Sequence, residues 1–161
     1  MEAVTILEAD LDSSEHQQAV LDLIDAYAMD PMGNGGSLPK DVKDKLIPGL
    51  KSHPTTLIFI AYANGAAIGI AVCFVGFSTF AARPLINVHD LAVLPGRRGS
   101  GVGRRLLAAV ERRAREMGCC KVTLEVLENN HRALKVYAAA GFARVTYTED
   151  AGGALFFAKK L

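Results

Sequence analysis

Residues 84–127 change their apolar period twice, and this constrains the fold more than any other feature of the chain. "PLINVHDLAVL" (84–94) reads as a strand and runs into the glycine- and arginine-rich loop "PGRRGSGVGRR". From Val102 the spacing turns helical: Val102, Leu106, Val110, Ala114 and Met117 share one face, with Leu107 beside them. Glu111 and Arg115 form an i,i+4 pair on the outer side, and Gly118 supplies the C-terminal stop. "CCKVTLEVL" (119–127) then alternates as a half-buried strand does. Strand, helix and strand in this order predict two parallel strands joined by a right-handed crossover over a helix spanning 101–117.

The flanking segments add antiparallel pieces. "VTILEA" (4–9) reads as a first strand, and a helix follows over 13–30, with Val20, Leu23, Ile24 and Tyr27 at helical spacing. The glycine-rich break "PMGNGGSLP" (31–39) leads to a helix over 39–50, with Pro39 near its start, where a missing N–H costs nothing. Strands over 55–62 and 66–77 flank "ANG", and an Asn-Gly pair between β-prone runs signals a hairpin. Asn130 is placed to cap a helix whose inner face is Ala133, Val136, Tyr137 and Ala140, ended by Gly141. "FARVTYT" and "ALFFAKKL" predict a closing hairpin around "EDAGG". The order β-α-α-β-β-β-α-β-α-β-β defines an α/β (α+β) fold, with a mixed, mostly antiparallel central sheet flanked by helices. At 161 residues, half of them apolar, the whole chain 1–161 is expected to be one domain.

Charge and cysteine usage narrow the function classes. No apolar run approaches the ~18 residues of a membrane span. "MEAVTILEAD" lacks the apolar core of a signal peptide. Cys73, Cys119 and Cys120 make an odd count with two adjacent, which argues against a disulfide framework and for a cytoplasmic protein. No Cys/His spacing suits zinc, so no metal is expected. The net charge of +1 hides an asymmetry. Residues 97–115 hold seven arginines and one acid, a local +6, whereas residues 1–53 hold ten acids and four lysines, a local −6. So local a basic patch suits a small polyanion rather than a nucleic acid. Arg112, Arg113 and Arg115 also fit a solvated helix face.

The glycine loop fails two familiar phosphate motifs. Gly96 and Gly101 have the spacing of a Walker loop, but Val102 stands where its lysine must be. Gly99 and Gly101 fit a dinucleotide loop, but Arg104 stands at its third glycine; Glu125, about 22 residues beyond Gly103, would be the ribose acid. What remains is a strand end, a backbone stripped of Cβ atoms, a helix N-terminus and the charges of Arg98 and Arg104. Successive N–H groups with guanidinium suit a diphosphate.

Arg98, Gly101 and Gly103, in the pattern R-x-x-G-x-G after "LAVLP", resemble the acetyl-CoA motif of the GNAT superfamily of N-acetyltransferases. "NNHRALKVYAAAGF" resembles the same superfamily's second motif, with Asn130, Ala133, Tyr137, Gly141 and Phe142 in register. The resemblance covers residues 84–145. It implies a GNAT fold with splayed central strands and acetyl-CoA as co-substrate. Arg98, Gly99, Ser100, Gly101, Val102, Gly103 and Arg104 would hold the diphosphate. Leu91, Ala92 and Val93 would pair with the pantetheine arm, and Asn130 and Tyr137 would also line the site. The amine attacks the thioester directly in a ternary complex, so no cysteine is needed as a nucleophile. The Val93 N–H would polarise the carbonyl, and Tyr137 would protonate the departing thiolate in a nearly thermoneutral transfer.

The base is open between His89, Asp90 orienting it, Glu125 and a water relay; Asn87 cannot serve. Alternation puts Asn87 and His89 on one face and Val88, Asp90 and Ala92 on the other, unless a bulge intervenes. Tyr27, Asn87 and Glu125 are expected on the acceptor side, with Asp22, Asp25 and Asp30 nearby or solvated. "FSTFAARPLINVHDLAV" loosely resembles diamine and polyamine acetyltransferases, with His89 where those carry glutamate. The resemblance thus implies a small-molecule primary amine as acceptor, and a homodimer through the late strands. A protein N-terminus or lysine as acceptor, and a non-catalytic acetyl-CoA sensor, are the alternatives.

Overall fold

The computed structural model describes residues 3–161. Five strands lie in chain order across one sheet: β1 (Val4–Glu8), β2 (Thr56–Ala63), β3 (Ala66–Ser78), β4 (Arg83–Val93) and β5 (Val122–Leu124). The first four pair antiparallel, and β4 pairs parallel with β5, as the strand–helix–strand run predicts. Helices α1 (Ser14–Met29) and α2 (Lys40–Ser52) precede β2. Helix α3 (Val102–Glu116) crosses between β4 and β5, and α4 (His131–Ala139) follows β5. Asn64 and Gly65 turn the β2–β3 hairpin at φ of 50° and 78°, the positive values a two-residue type I′ turn requires.

The two sheet faces bury different helices. Val102, Leu106, Leu107, Val110 and Ala114 of α3 pack with Phe59, Ala61, Ala71, Ile86 and Val88. Ala19, Val20 and Leu23 of α1 pack on the other face with Ile58, Ile60, Ile70 and Val72. Side chains alternate along each strand, so one sheet serves both cores. Gly69 lets α3 come close: a Cβ there would lie 3.1 Å from the Ala92 carbonyl oxygen and 3.2 Å from a Val102 methyl.

Two expectations fail. The strand after α3 is shorter than residues 119–127, since regular pairing ends where Leu124 meets Val88. The closing hairpin is absent from the sheet, and one bridge, Thr146 to Gly153, is all that forms between its arms. Val145, Tyr147, Leu155, Phe156 and Phe157 are exposed. Their alternation marks β-prone chain, but within this chain no apolar face covers them, so nothing selects a strand register.

Candidate active site

The short reach of β5 creates the site. Beyond Val88, β4 has no strand neighbour on its second edge among the described residues, although it runs on to Val93. Leu94 N–H donates to the Ile68 carbonyl at 2.9 Å. Antiparallel alternation therefore turns the N–H and C=O of Val93 and Leu91 away from β3, toward that open edge. A cleft of about 570 Å³ lies along it. Leu91, Ala92 and Val93 form one wall, the glycine loop closes one end, and Asn130, Ala133, Val136 and Tyr137 of the α4 region form the opposite wall.

The loop is shaped by main chain. Gly99 and Gly101 sit at φ of 80° and 83°, a left-handed conformation that favours glycine. Gly101 is the N-cap of α3 and offers no side-chain cap. The first N–H groups of α3 thus lack internal acceptors and lie at the lining residues Val102, Gly103 and Arg104. Arg104, Arg97, Arg132 and Lys135 add positive charge around them. Arg105 points elsewhere and bonds the Val4 carbonyl. These features fit a diphosphate: unsatisfied N–H groups at the positive end of a helix, cations around them, and no side chain between.

Arg98 is not simply open to a ligand. Its Nε donates to the Val93 carbonyl at 2.9 Å and its Nη2 to Asp30 Oδ2 at 2.5 Å. Asn130 acts first as a helix cap, its Oδ1 accepting the Ala133 N–H at 3.1 Å. Ser100 folds its hydroxyl onto the Arg97 carbonyl at 2.6 Å, tightening the turn.

A β-bulge decides the faces of β4. Cys73 pairs with Val88 and Val72 with Asp90, so His89 is the extra residue. The simple alternation is thereby overturned. Val88 packs toward α3, whereas Ala92, beyond the bulge, packs toward α1. Asp90, two residues before Ala92, shares the α1 side. Its carboxyl is held above the ordinary range by burial, partly offset by His89. Its charge in turn helps to raise the Tyr27 phenol, after burial itself. His89 is exposed and meets the Phe74 ring edge-on at 5.5 Å; His53 meets the same ring at 4.9 Å.

Tyr137 lies in the cleft wall, and burial, with Tyr27 nearby, pushes its phenol up to about 12. A phenol so raised is a weaker acid than an ordinary tyrosine, so its proton passes to a thiolate less readily. Asn87 is tied to β5, its Nδ2 donating to Thr123 Oγ1 at 3.1 Å. Glu125 is exposed just past the end of β5. Neither lines the cleft. Asp25 is engaged by Lys43, the Leu38 N–H and Ser37, which hold its carboxyl below the usual range, Lys43 foremost.

The cleft also contains residues that spacing alone did not mark. Met32 reaches it from the loop after α1, and Arg132 and Lys135 from α4. The two cations stand three apart just after the Asn130 cap, a signal the sequence did offer.

Comparison with known proteins identifies the family. The sequence profile of the acetyltransferase (GNAT) family matches residues 20–142, and the chain belongs to that family. The uncharacterized N-acetyltransferase YhfO of Bacillus subtilis is 33% identical over 103 residues, covering 64% of this chain and 65% of that protein. An aminoglycoside N(6')-acetyltransferase of Salmonella typhimurium is 30% identical, covering 63% of this chain and 68% of that protein. The match to the thialysine N-epsilon-acetyltransferase of Bos taurus, at 33% identity, covers 51% of this chain and 48% of that protein. The chain thus spans between about half and two thirds of these relatives. In fold it is similar to an aminoglycoside N-acetyltransferase solved in complex with CoA, with a TM-score of 0.75 and 22% identity over 100% of this chain and 97% of that one.

Proposed function

We propose that the whole chain is one N-acetyltransferase domain that moves an acetyl group from acetyl-CoA to the primary amine of a small molecule. The open edge of β4 at Leu91–Val93, running into the glycine loop and facing Tyr137, carries this reading. The CoA-bound aminoglycoside acetyltransferase among its fold neighbours supports it. Acetyl-CoA supplies the thioester; the amine nitrogen bonds to the carbonyl carbon, the C–S bond breaks, and no metal takes part.

Each residue then has a task. Leu91 and the Val93 N–H would align the pantetheine arm and polarise the carbonyl. The loop from Arg98 to Arg104, with Arg132 and Lys135, would hold the phosphates. Tyr137, protonated throughout the working pH range, would donate a hydrogen bond to the leaving sulfur. Asp90 would take the proton from the amine: it stands outside the cleft lining but on the α1 side of the sheet, where its charge bears on the Tyr27 phenol of that lining, whereas His89 is exposed. Tyr27 and Met32 would face the acceptor. The exposed apolar residues of 143–161 support a homodimer in which that segment is covered by a second copy. Among the described residues no helix is long and apolar enough to cross a membrane, and the cysteines are free, which fits a cytoplasmic location.

A panel of primary amines incubated with acetyl-CoA, with free CoA and acetylated product both measured, tests the proposal. Turnover with small amines and not with peptide N-termini or lysine peptides is expected. Acetyl-CoA binding without release of CoA by any amine would replace the enzyme with a sensor.

A further inference from the structure

Asp30 and Arg98 are 68 positions apart in sequence, meet through an ion pair and both line the cleft. Arg98 opens the glycine loop. Asp30 ends α1 and begins the segment 31–37. While Asp30 Oδ2 accepts from Arg98, its Oδ1 accepts the Met32 N–H at 2.9 Å. The two side chains are 9% and 25% exposed, Asp30 the more covered. So sheltered a pair is unlike the surface bridges that solvent renders nearly neutral, and removing one partner strands the other's charge. Around Asp30 the chain folds back on the end of α1: the Gly33 N–H donates to the Asp30 carbonyl at 2.8 Å, and the Asn34 and Gly36 N–H groups to the Ala28 carbonyl at 3.0 and 3.1 Å. The fold is tight, since a Cβ on Gly33 would lie 2.1 Å from the Tyr27 carbonyl oxygen.

We infer that Asp30 is a positioning residue that aims the Arg98 guanidinium at the donor's diphosphate and, through the same ion pair, transmits occupancy of the donor loop to residues 31–36 at the acceptor end. A guanidinium is a planar fork of five donors. Here Nε and Nη2 are engaged by Val93 and Asp30, which fixes the plane and leaves Nη1 for an anion. An anion seated there removes the swing that a quarter-exposed side chain retains, so the pair with Asp30 is more fully populated. Coupling of this kind is reciprocal: whatever Asp30 adds to donor affinity, the donor adds to the order of the Asp30 loop. The inference rests on the reading that the glycine loop takes CoA.

Amide hydrogen exchange on the full chain, with and without saturating CoA, tests it alongside CoA affinity for wild type and Asp30→Asn. CoA is expected to slow exchange at Met32, Gly33, Asn34 and Gly36 by roughly fivefold in wild type. Asp30→Asn is expected to bind CoA roughly fivefold more weakly and to lose that protection, while the amides of α3 from Leu106 to Val110 exchange as in wild type. Wild type binding CoA with exchange at 31–36 unmoved would overturn the inference, and this arm needs no variant. So would an Asp30→Asn protein that keeps both affinity and protection. Failure of wild type to bind CoA would remove the acetyltransferase reading itself, a result distinct from binding without protection.

Discussion

The two ends of the cleft are built from different materials. The proposed donor end is main chain: the unpaired edge of β4 and the first turn of α3, set on a core in which Leu106 and Val110 are fully buried. Gly99 and Gly101, in left-handed conformations, bare two positions of the loop of side chains. The proposed acceptor end is side chain: Tyr27 and Met32 line the cleft from a helix end and a loop, and Asp90 stands outside that lining, at a bulge. Main-chain groups sit where the fold puts them, so the donor end is fixed once sheet and helix form. Side chains can change without changing the fold, so the proposed acceptor end is where one fold can serve different substrates.

This contrast breaks most severely at Asp90. Asp90→Asn should lower kcat/KM by about a hundredfold while leaving CoA affinity unchanged, and should abolish the acid limb of the pH–rate profile. That limb should lie above 3.8, because burial raises the carboxyl. A His89→Ala protein that loses the limb instead would move the base to His89. The same variant reports on stability. A buried carboxyl with a raised pKa binds its proton more tightly folded than unfolded, so it contributes stability at low pH that is lost as pH rises above 3.8. Asp90→Asn should therefore melt at a higher temperature than wild type at pH 7, with the gap closing below about pH 4.

Smaller effects sharpen the contrast. Gly101→Ala places a Cβ at φ of 83° and should cost about 1–2 kcal/mol of stability. CoA binding, measured by calorimetry, should weaken roughly tenfold with the amine KM unchanged. Tyr137→Phe removes one hydrogen bond to the leaving group and should reduce kcat roughly tenfold, more than it weakens CoA binding; unchanged turnover would take Tyr137 out of the reaction. Glu125→Gln, at an exposed site outside the cleft, should change no kinetic constant measurably.

Legibility in the sequence follows the same division. The helical face of α3, the Asn64–Gly65 hairpin, the Asn130 cap and the parallel pairing of β4 with β5 all obey local rules of period, turn and cap, and each is found. The bulge at His89 inserts a single residue that no local signal announces, yet it moves Asp90 to the α1 face. The Asp30–Arg98 pair joins residues far apart in the chain, and only the fold brings them together. The apolar alternation of 142–161 was visible, but strand formation needs a partner edge that spacing cannot supply. Two motifs mark the proposed donor end; no motif marks the proposed acceptor end, because a handful of side chains on three separate elements leaves no common spacing.

The central claim is that main-chain groups of β4 and the α3 loop receive CoA. Titration of CoA into the 15N-labelled protein tests it directly. The largest amide shifts should fall on Leu91, Val93 and the run from Gly99 to Arg104, with the amides of Asn87 and Glu125 nearly still. CoA binding that leaves Val93 and Gly101 through Arg104 unmoved, while shifting amides elsewhere, would contradict the account.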